Sequence, residues 1–348
     1  MKEFPSFYGN AGVARTLGQM IEQERIPQTI LLSGPEGVGK ATLARRFAAA
    51  LLGGSAKVER DDLSLESNLE IVEQRDKWPA DKRNDDPLFF STHPDFLTFA
   101  PDGPLRQITI EQMRLLRERA RLKPVSGSHT VFLIDHLERA NEQSANSLLK
   151  VLEEPPEHLV ILATAENLYD LLPTIRSRSI VLQMSRLPDA EMQEFARARN
   201  LGDAAVRIAL AEGSPGIAAS LDLEQFRKRR SLVLAALECA AGVVPFSDWV
   251  AHSEWFVSSK AEKLDAYLKL MYGVLADILA AIYQKPTKNR DVEARIEKIA
   301  GAVSFSWVEQ AVRRIDDLVL MVRRNIQKTA ALDAMIINLR NPLPRVST

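Results

Sequence analysis

Residues 29–43 read TILLSGPEGVGKATL, an apolar strand followed by a glycine-rich turn that opens a helix. The turn contains Gly34, Gly37, Gly39 and Lys40 and satisfies the P-loop pattern G-x-x-x-x-G-K-[ST] except at its last position. In such a turn, backbone N–H groups surround a phosphate, the helix directs its positive end at the same point, and the lysine reaches the outer phosphates. The stretch therefore predicts a nucleotide-binding loop. The alternative is a chance glycine turn between a strand and a helix.

The last position of the pattern departs from what Mg²⁺ binding needs. A serine or threonine hydroxyl normally holds the ion there, but this chain has Ala41, and Thr42 comes one residue too late. We expect both residues to lie in the nucleotide site without completing a metal site. ATP or ADP is therefore an expected ligand, with Mg²⁺ held weakly or not at all.

Composition sets the outer limits of the interpretation. The chain has 348 residues, 46% of them apolar and 26% charged, which is typical of two or three globular domains. A net charge of −1 excludes a global basic field for nucleic acid or membrane, so any such contact must be local. The single cysteine, Cys239, lies in an apolar run and is predicted to be a buried helical residue. No apolar run or leader-like start indicates a membrane segment, and we expect a soluble, cytoplasmic protein without a membrane partner.

Two later strands are expected to reach the same edge of a parallel sheet as the P-loop. Residues 130–135 read TVFLID, a run typical of a strand buried on both faces and ending in a carboxylate. In P-loop folds such an aspartate helps to hold the metal beside the phosphates, and Asp135 fits that role. The strand at residues 159–163 delivers Thr164 to the same edge, where ligands of open parallel sheets collect. Asp135 and Thr164 are therefore predicted nucleotide-site residues.

His136 follows Asp135 at the position where proteins that hydrolyse ATP usually carry a glutamate. A histidine can accept a proton because its unperturbed pKa is near 6.5. The alternative is a partly exposed residue at a strand end. Glu138 lies two residues further on, past the strand, and is not taken as a substitute for the missing glutamate.

The order of these motifs resembles the bacterial clamp-loader branch of the AAA+ ATPases. The resemblance covers nearly all of the N-terminal half and is carried, after the P-loop, by HPDF at 93–96, VFLID at 131–135, NSLLKVLEEPPEH at 146–158, LAT at 162–164 and LLPTIRSRS at 171–179. It implies an α/β P-loop (AAA+) domain with a parallel sheet, a small helical lid and an all-α oligomerisation collar, at residues 1–185, 186–222 and 223–348. Residues 55–92 of the first domain are expected to form an exposed, charged insertion followed by the HPD segment.

The resemblance also assigns a role to Arg178. In this family the arginine of the Ser-Arg pair is an arginine finger, which projects onto the γ-phosphate bound by a neighbouring subunit. The alternative is a surface ion pair at the start of a strand.

Departures from the family pattern point to a subunit with little or no ATPase activity of its own. Relatives commonly carry four zinc-binding cysteines between the P-loop helix and the HPD strand, whereas residues 55–92 contain no cysteine, so we expect no zinc. ATP-hydrolysing relatives have an arginine in the lid where this chain reads Gly213-Ser214-Pro215-Gly216. Together with Ala41 and His136, this substitution predicts nucleotide binding with little turnover.

The function that the resemblance implies is that of a non-motor, stator-like subunit of the DNA polymerase III clamp loader. Such a subunit belongs to a DNA-directed DNA polymerase holoenzyme and forms a heteropentamer with motor and delta-type subunits, acting indirectly on the sliding clamp and primed DNA. One alternative is an active gamma/tau-like motor subunit, with Thr42 rescuing metal ligation and His136 or Glu138 acting as base. The other is a different AAA+ replication ATPase.

Overall fold

A computed structural model describes residues 4, 6–250, 264–322 and 328–340 and divides the chain into two compact units. The first unit comprises residues 1–204 and 211–219, and the second comprises residues 205–210 and 220–348. The predicted lid contributes residues to both units. The division into three domains therefore stays a prediction.

The first unit is built on a five-stranded parallel sheet, as predicted from the continuous apolar runs. The strand order is β2-β3-β4-β1-β5. The strands are β1 (Thr29–Ser33), β2 (Phe96–Phe99), β3 (Thr130–Ile134), β4 (Leu159–Ala165) and β5 (Ile180–Gln183). Ala163 pairs with both Leu31 and Ile134, so β1, β3 and β4 end at the same edge of the sheet. This edge carries the P-loop, and the α/β P-loop fold is confirmed.

Helices cover both faces of this sheet. Helices α1 (Ala11–Glu22) and α2 (Lys40–Leu52) pack on one face, and α6 (Ile110–Ala120) and α7 (Glu142–Glu153) pack on the other. The remaining helices up to residue 220 are α3 (Ser55–Val58), α4 (Glu66–Arg75), α5 (Ala80–Asp85), α8 (Pro173–Arg176), α9 (Asp189–Ala198), α10 (Ala204–Ala211) and α11 (Pro215–Ser220), of which α10 belongs mainly to the second unit. The sequence of residues 109–112, TIEQ, predicts a capping box before α6, and it is confirmed because Thr109 and Gln112 exchange side-chain to backbone hydrogen bonds. Asn141 likewise caps α7 by accepting from the Ser144 N–H.

Alternate residues of the strands point to opposite faces, and both faces are buried on β1 to β4, whereas β5, at the edge of the sheet, is largely exposed. Leu31, Phe132 and Ile161 belong to the core beneath α6 and α7. Their strand neighbours, including Ile30 and Val131, belong to the core beneath α1 and α2. A three-layer arrangement of this kind holds the strand ends rigidly, so that side chains leaving the sheet edge have defined positions.

The segment at 55–92 was expected to be an exposed insertion, and most of its residues are exposed, but it also has folded structure and a few buried residues. It folds into α3, α4 and α5, and the guanidinium of Arg75 is buried. Arg75 donates to both carboxylate oxygens of Asp102, at 3.0 and 2.7 Å, and to the backbone oxygen of Asp86. The buried Asp61 accepts from the Thr92 hydroxyl at 2.6 Å. Charged residues here pair inside the fold, which their local sequence does not reveal.

The second unit is helical, in agreement with the all-α prediction for this region. Its helices after α11 are α12 (Leu223–Ala240), α13 (Leu264–Ile282), α14 (Glu293–Ala300), α15 (Phe305–Val322) and α16 (Lys328–Arg340). Cys239 is fully buried on α12, as predicted. The apolar stripe of residues 307–326 in the sequence predicts a helix, which α15 confirms up to Val322, and residues 323–327 lie outside the described residues. Among the helices that the structure describes, none has the length and apolarity needed to cross a bilayer.

Candidate nucleotide and metal site

The P-loop glycines take backbone conformations that other residues rarely adopt. Gly34, Gly37 and Gly39 have φ angles of 154°, 75° and 95°. A Cβ atom placed on Gly34 would lie 2.2 Å from the carbonyl oxygen of Met184. The turn therefore depends on glycine for its shape, and Gly39 leads directly into α2.

Lys40, the first residue of α2, is folded into the loop that precedes it. Its Nζ atom donates to the carbonyl oxygens of Gly34 and Pro35, at 2.6 and 2.8 Å. Burial lowers the pKa of the Lys40 ammonium below its ordinary value, although the negative charges of Glu166, Asp135 and Glu138 act in the opposite direction. The lysine is held at the phosphate end of the loop by the loop's own carbonyl groups.

The hydroxyl missing at Ala41 is not replaced by that of Thr42. Both residues lie in the first turn of α2, where successive side chains are rotated by about 100° around the helix axis. The Thr42 side chain therefore leaves the helix in a different direction from that of residue 41.

Asp135 and Thr164 meet at the ends of β3 and β4, where sequence reasoning placed them. The Thr164 hydroxyl donates to Oδ1 of Asp135 at 2.5 Å and accepts from the backbone N–H of His136 at 2.9 Å. Thr164 is fully buried and Asp135 is 8% exposed. The Thr164 hydroxyl therefore uses both its donor and an acceptor lone pair to link the ends of β3 and β4 inside the protein.

Glu138, which the sequence had set aside as lying past the strand, returns to the site. It sits in a single 3₁₀ turn, Leu137–Arg139, and its Oε1 atom lies 2.9 Å from Nδ1 of His136. This hydrogen bond raises the pKa of the His136 imidazole above its ordinary value. Burial alone would raise the pKa of the Glu138 carboxyl, but hydrogen bonds from His136 and from its own backbone bring it below its ordinary value. His136 is therefore paired with a carboxylate rather than standing alone at a strand end.

Glu166 is the residue of this edge that sequence reasoning missed. Its Oε1 atom lies 3.8 Å from Nδ1 of His136. The available signal was its position two residues after Thr164, at the end of a strand paired with β3.

The lid sequence lies directly against the P-loop. The backbone N–H of Gly216 donates to the carbonyl oxygen of Gly37 at 2.8 Å. A Cβ atom on Gly216 would lie 3.0 Å from that oxygen and 3.1 Å from the Gly37 Cα. A larger side chain at residue 216 is therefore accommodated only if the lid backbone moves away from the loop.

Arg178 lies between α8 and β5, at the amino end of the strand. It is ion-paired with Glu153 at 3.1 Å, and it also donates to the carbonyl oxygen of Thr174 at 3.1 Å. The Arg178 side chain is 36% exposed and that of Glu153 is 51% exposed. The surface ion pair considered from the sequence is present, and it leaves the guanidinium accessible to solvent.

The sequence matches the family described as DNA polymerase III, delta subunit, over residues 9–188, just over half of the chain. The chain belongs to this family. It is 30% identical to DNA polymerase III subunit delta′ of Pseudomonas aeruginosa over 220 residues, 60% of each chain. It is also 30% identical to the gamma/tau subunit of Mycobacterium tuberculosis over 200 residues, 55% of this chain and 30% of the relative.

A solved structure supports the same AAA+ fold. A DNA polymerase III gamma subunit-related protein of Thermotoga maritima superposes with a TM-score of 0.53 and 17% identity, covering 94% of this chain and 98% of that one. The likeness concerns the fold alone. The family match and the identity to subunit delta′ place the chain among clamp-loader-type subunits of DNA polymerase III.

Proposed function

We propose that the chain is a non-motor, delta-prime-type subunit of the DNA polymerase III clamp loader. In this proposal it occupies a heteropentamer with motor and delta-type subunits in the cytoplasm and presents Arg178 to the ATP site of an adjacent motor subunit. ATP binding and hydrolysis at that site then support loading of the sliding clamp on primed DNA. The chain's own loop holds ATP or ADP, with Mg²⁺ weakly bound or absent.

The observation that carries this proposal is the position of Arg178 relative to the chain's own P-loop. Arg178 precedes β5, whose first residue, Ile180, pairs with Ile30 near the start of β1. The P-loop begins at Gly34, four residues further along β1, which is about 13 Å at ~3.3 Å per residue. Arg178 lies near the amino ends of these adjacent strands and the P-loop lies at their carboxyl ends. This separation from the chain's own P-loop suits action on a neighbour's nucleotide.

The surroundings of Arg178 favour an exchange of its Glu153 contact for a phosphate bound by a neighbouring subunit. Exposed ion pairs of this kind contribute only about 0–1 kcal/mol. The pair with Glu153 therefore orients the guanidinium without holding it strongly. A γ-phosphate offers a guanidinium a stronger, charge-assisted pair of hydrogen bonds.

Four features of the site and the lid support weak turnover by the chain itself. Ala41 stands where ATP-hydrolysing relatives carry the metal-binding hydroxyl, and His136 stands where they carry the glutamate. The Thr164 hydroxyl is already hydrogen-bonded to Asp135. In the lid, Gly216 packs by its backbone on the P-loop and contributes no cation. Each feature removes a group that would act on an ATP γ-phosphate.

Reconstitution with motor and delta-type subunits tests the role of Arg178. Arg178→Ala is expected to leave assembly intact on gel filtration and to slow hydrolysis at one site, by ~10³-fold where such fingers act. Both the ATPase rate and clamp loading of the complex then fall. Arg313→Ala, which removes another exposed, glutamate-paired arginine, is the matched control. Unchanged ATPase and loading rates in Arg178→Ala would overturn the finger assignment.

A motor role is the alternative that a specific observation favours, since the glycine turn and Lys40 retain P-loop geometry. Mg-ATP hydrolysis by the isolated chain separates the two functions. The stator proposal expects almost no turnover, and a Lys40→Ala variant with nearly normal clamp loading in the complex. Brisk hydrolysis that Lys40→Ala abolishes would instead establish a motor.

A further inference from the structure

Three side chains with metal-binding atoms converge beside the P-loop, outside the loop itself. They are His136, Glu138 and Glu166, and one ligand atom from each lies within 4.8 Å of the other two. The Nδ1 atom of His136 is 2.9 Å from a Glu138 oxygen and 3.8 Å from a Glu166 oxygen. All three residues are half-buried, so the cluster is both shielded and reachable from solvent.

These separations match the spacing of ligands around one ion. Zinc and similar ions bind imidazole nitrogen and carboxylate oxygen at about 2.0–2.2 Å. Two ligands on such an ion are then about 2.9 Å apart at a right angle and about 3.4 Å apart at a tetrahedral angle, by simple geometry from those bond lengths. The distances from His136 to Glu138 and to Glu166 lie at and just beyond this range, so small side-chain rotations bring all three onto a common ion.

A second observation points to a cation at this place. The Oε2 atom of Glu138 is buried and accepts no hydrogen bond from another residue in the described part of the chain. The Glu138 side chain as a whole is only 11% exposed. A buried carboxylate oxygen without a donor is costly, and a bound cation is one means of satisfying it.

Lys40 does not fill this role. Its ammonium is directed at the carbonyl oxygens of Gly34 and Pro35. Across the ranges that the structure describes, it forms no ion pair within 4.0 Å of a carboxylate. The lysine contributes positive potential at Glu138 and Glu166 without satisfying the Glu138 oxygen.

The backbone holds the histidine in place for ligation. His136 has a φ angle of 57°, in the left-handed region, and its N–H is fixed by the Thr164 hydroxyl. A residue other than glycine in this region costs about 1–2 kcal/mol, so the conformation is imposed by the surrounding structure. The ring is thereby turned towards both glutamates.

We propose that His136, Glu138 and Glu166 form a binding site for a divalent first-row transition-metal ion of the Zn²⁺ type. A ligand set of one imidazole and two carboxylates suits such an ion better than Mg²⁺, which prefers oxygen ligands alone. The site uses none of the P-loop positions and does not depend on the clamp-loader function proposed above.

The test is metal binding by the isolated full chain without a histidine tag. Zn²⁺ is titrated by calorimetry, and Co²⁺ is added as a spectroscopic probe whose visible absorption reports a protein-bound ion. We expect one ion per chain. Glu166→Gln should weaken binding at least ~10-fold, because loss of even an outer partner of a metal ligand commonly weakens binding by this factor. Glu166 is 39% exposed, so its near-isosteric variant is expected to fold, and circular dichroism checks this.

Two control variants separate this site from adventitious binding elsewhere. Glu154→Gln changes an exposed glutamate and His129→Gln a partly exposed histidine, both outside the cluster, and both variants are expected to bind both ions as the parent does. His136→Ala is expected to lose the Co²⁺ absorption that the parent shows. Absence of binding to the parent, or equal affinity in the parent and Glu166→Gln, would overturn the proposal. Neither outcome bears on Arg178, because no partner subunit is present in the measurement.

Discussion

Replacing Thr164 by valine tests whether its hydroxyl joins β3 and β4. Valine has nearly the same shape, but it removes a bond to the Asp135 carboxylate at 2.5 Å and one from the His136 N–H at 2.9 Å. Thr164 is 0% exposed and Asp135 8%, so water compensates poorly. A bond to a charged group contributes about 1.5–3 kcal/mol and an unsatisfied amide costs about 1 kcal/mol, which gives a loss of ~3 kcal/mol.

Urea unfolding of the full chain, followed by circular dichroism, measures this loss. With a denaturant dependence of ~3 kcal/mol per molar, the midpoint of the transition that reports the sheet is expected to fall by about 1 M. Thr98→Val is the matched control, because Thr98 is also fully buried in a strand but its hydroxyl has no hydrogen-bond partner among the described residues. That variant is expected to be neutral or slightly stabilising. Equal midpoints for the two variants would refute the strand-joining role.

Three other changes have defined outcomes in unfolding experiments. Folding lowers the pKa of Glu138, so the His136–Glu138 pair stabilises the fold above the ordinary glutamate pKa of 4.5. Folding raises the pKa of His136, so the same pair is fully stabilising only below the ordinary histidine pKa of 6.5. In metal-free buffer, the stability difference between the parent and Glu138→Gln should be largest between these values and decline as the pH rises; a flat difference would contradict the pairing. Gly216→Ala should cost about 1 kcal/mol by disturbing the backbone bond to the P-loop, whereas Gly12→Ala, in open space on α1, should be neutral or stabilising by up to ~1 kcal/mol, and thermal unfolding of the two compares them. Arg75→Met should lower the free energy of unfolding by about 3–5 kcal/mol, because it leaves the buried Asp102 carboxylate without its partner. A loss below ~1 kcal/mol would show that this ion pair contributes little to stability.

The strands and the P-loop were predictable because their signals are local. The apolar runs of β1, β3 and β4, five to seven residues long and buried on both faces, are typical of central strands of a parallel sheet. The positive φ angles of Gly34, Gly37 and Gly39 follow from the same residues that define the motif. Asp135 and Thr164 were placed correctly because parallel strands deliver their carboxyl ends to one edge.

The rest of the site depended on contacts that local patterns do not encode. Glu138 reaches His136 only because residue 136 adopts a left-handed conformation and the chain turns back at once. Glu166 joins them through the pairing of β3 with β4, although the two glutamates are far apart in sequence. The interior of the 55–86 segment was missed for a related reason, since the partner of Arg75 is Asp102, outside the segment. A charged residue is therefore not necessarily exposed, because it can be buried in an ion pair with a residue far away in the sequence.

The ion pairs inside residues 55–86 carry a consequence for how this part of the protein responds to its surroundings. A module held together by thiolate ligands loosens when oxidants attack the sulfur or when chelators remove the ion. Here the guanidinium of Arg75 occupies the interior, and the segment has no sulfur ligand to lose. Its integrity is therefore expected to withstand peroxide and EDTA and to depend instead on the buried pairing of Arg75 with Asp102.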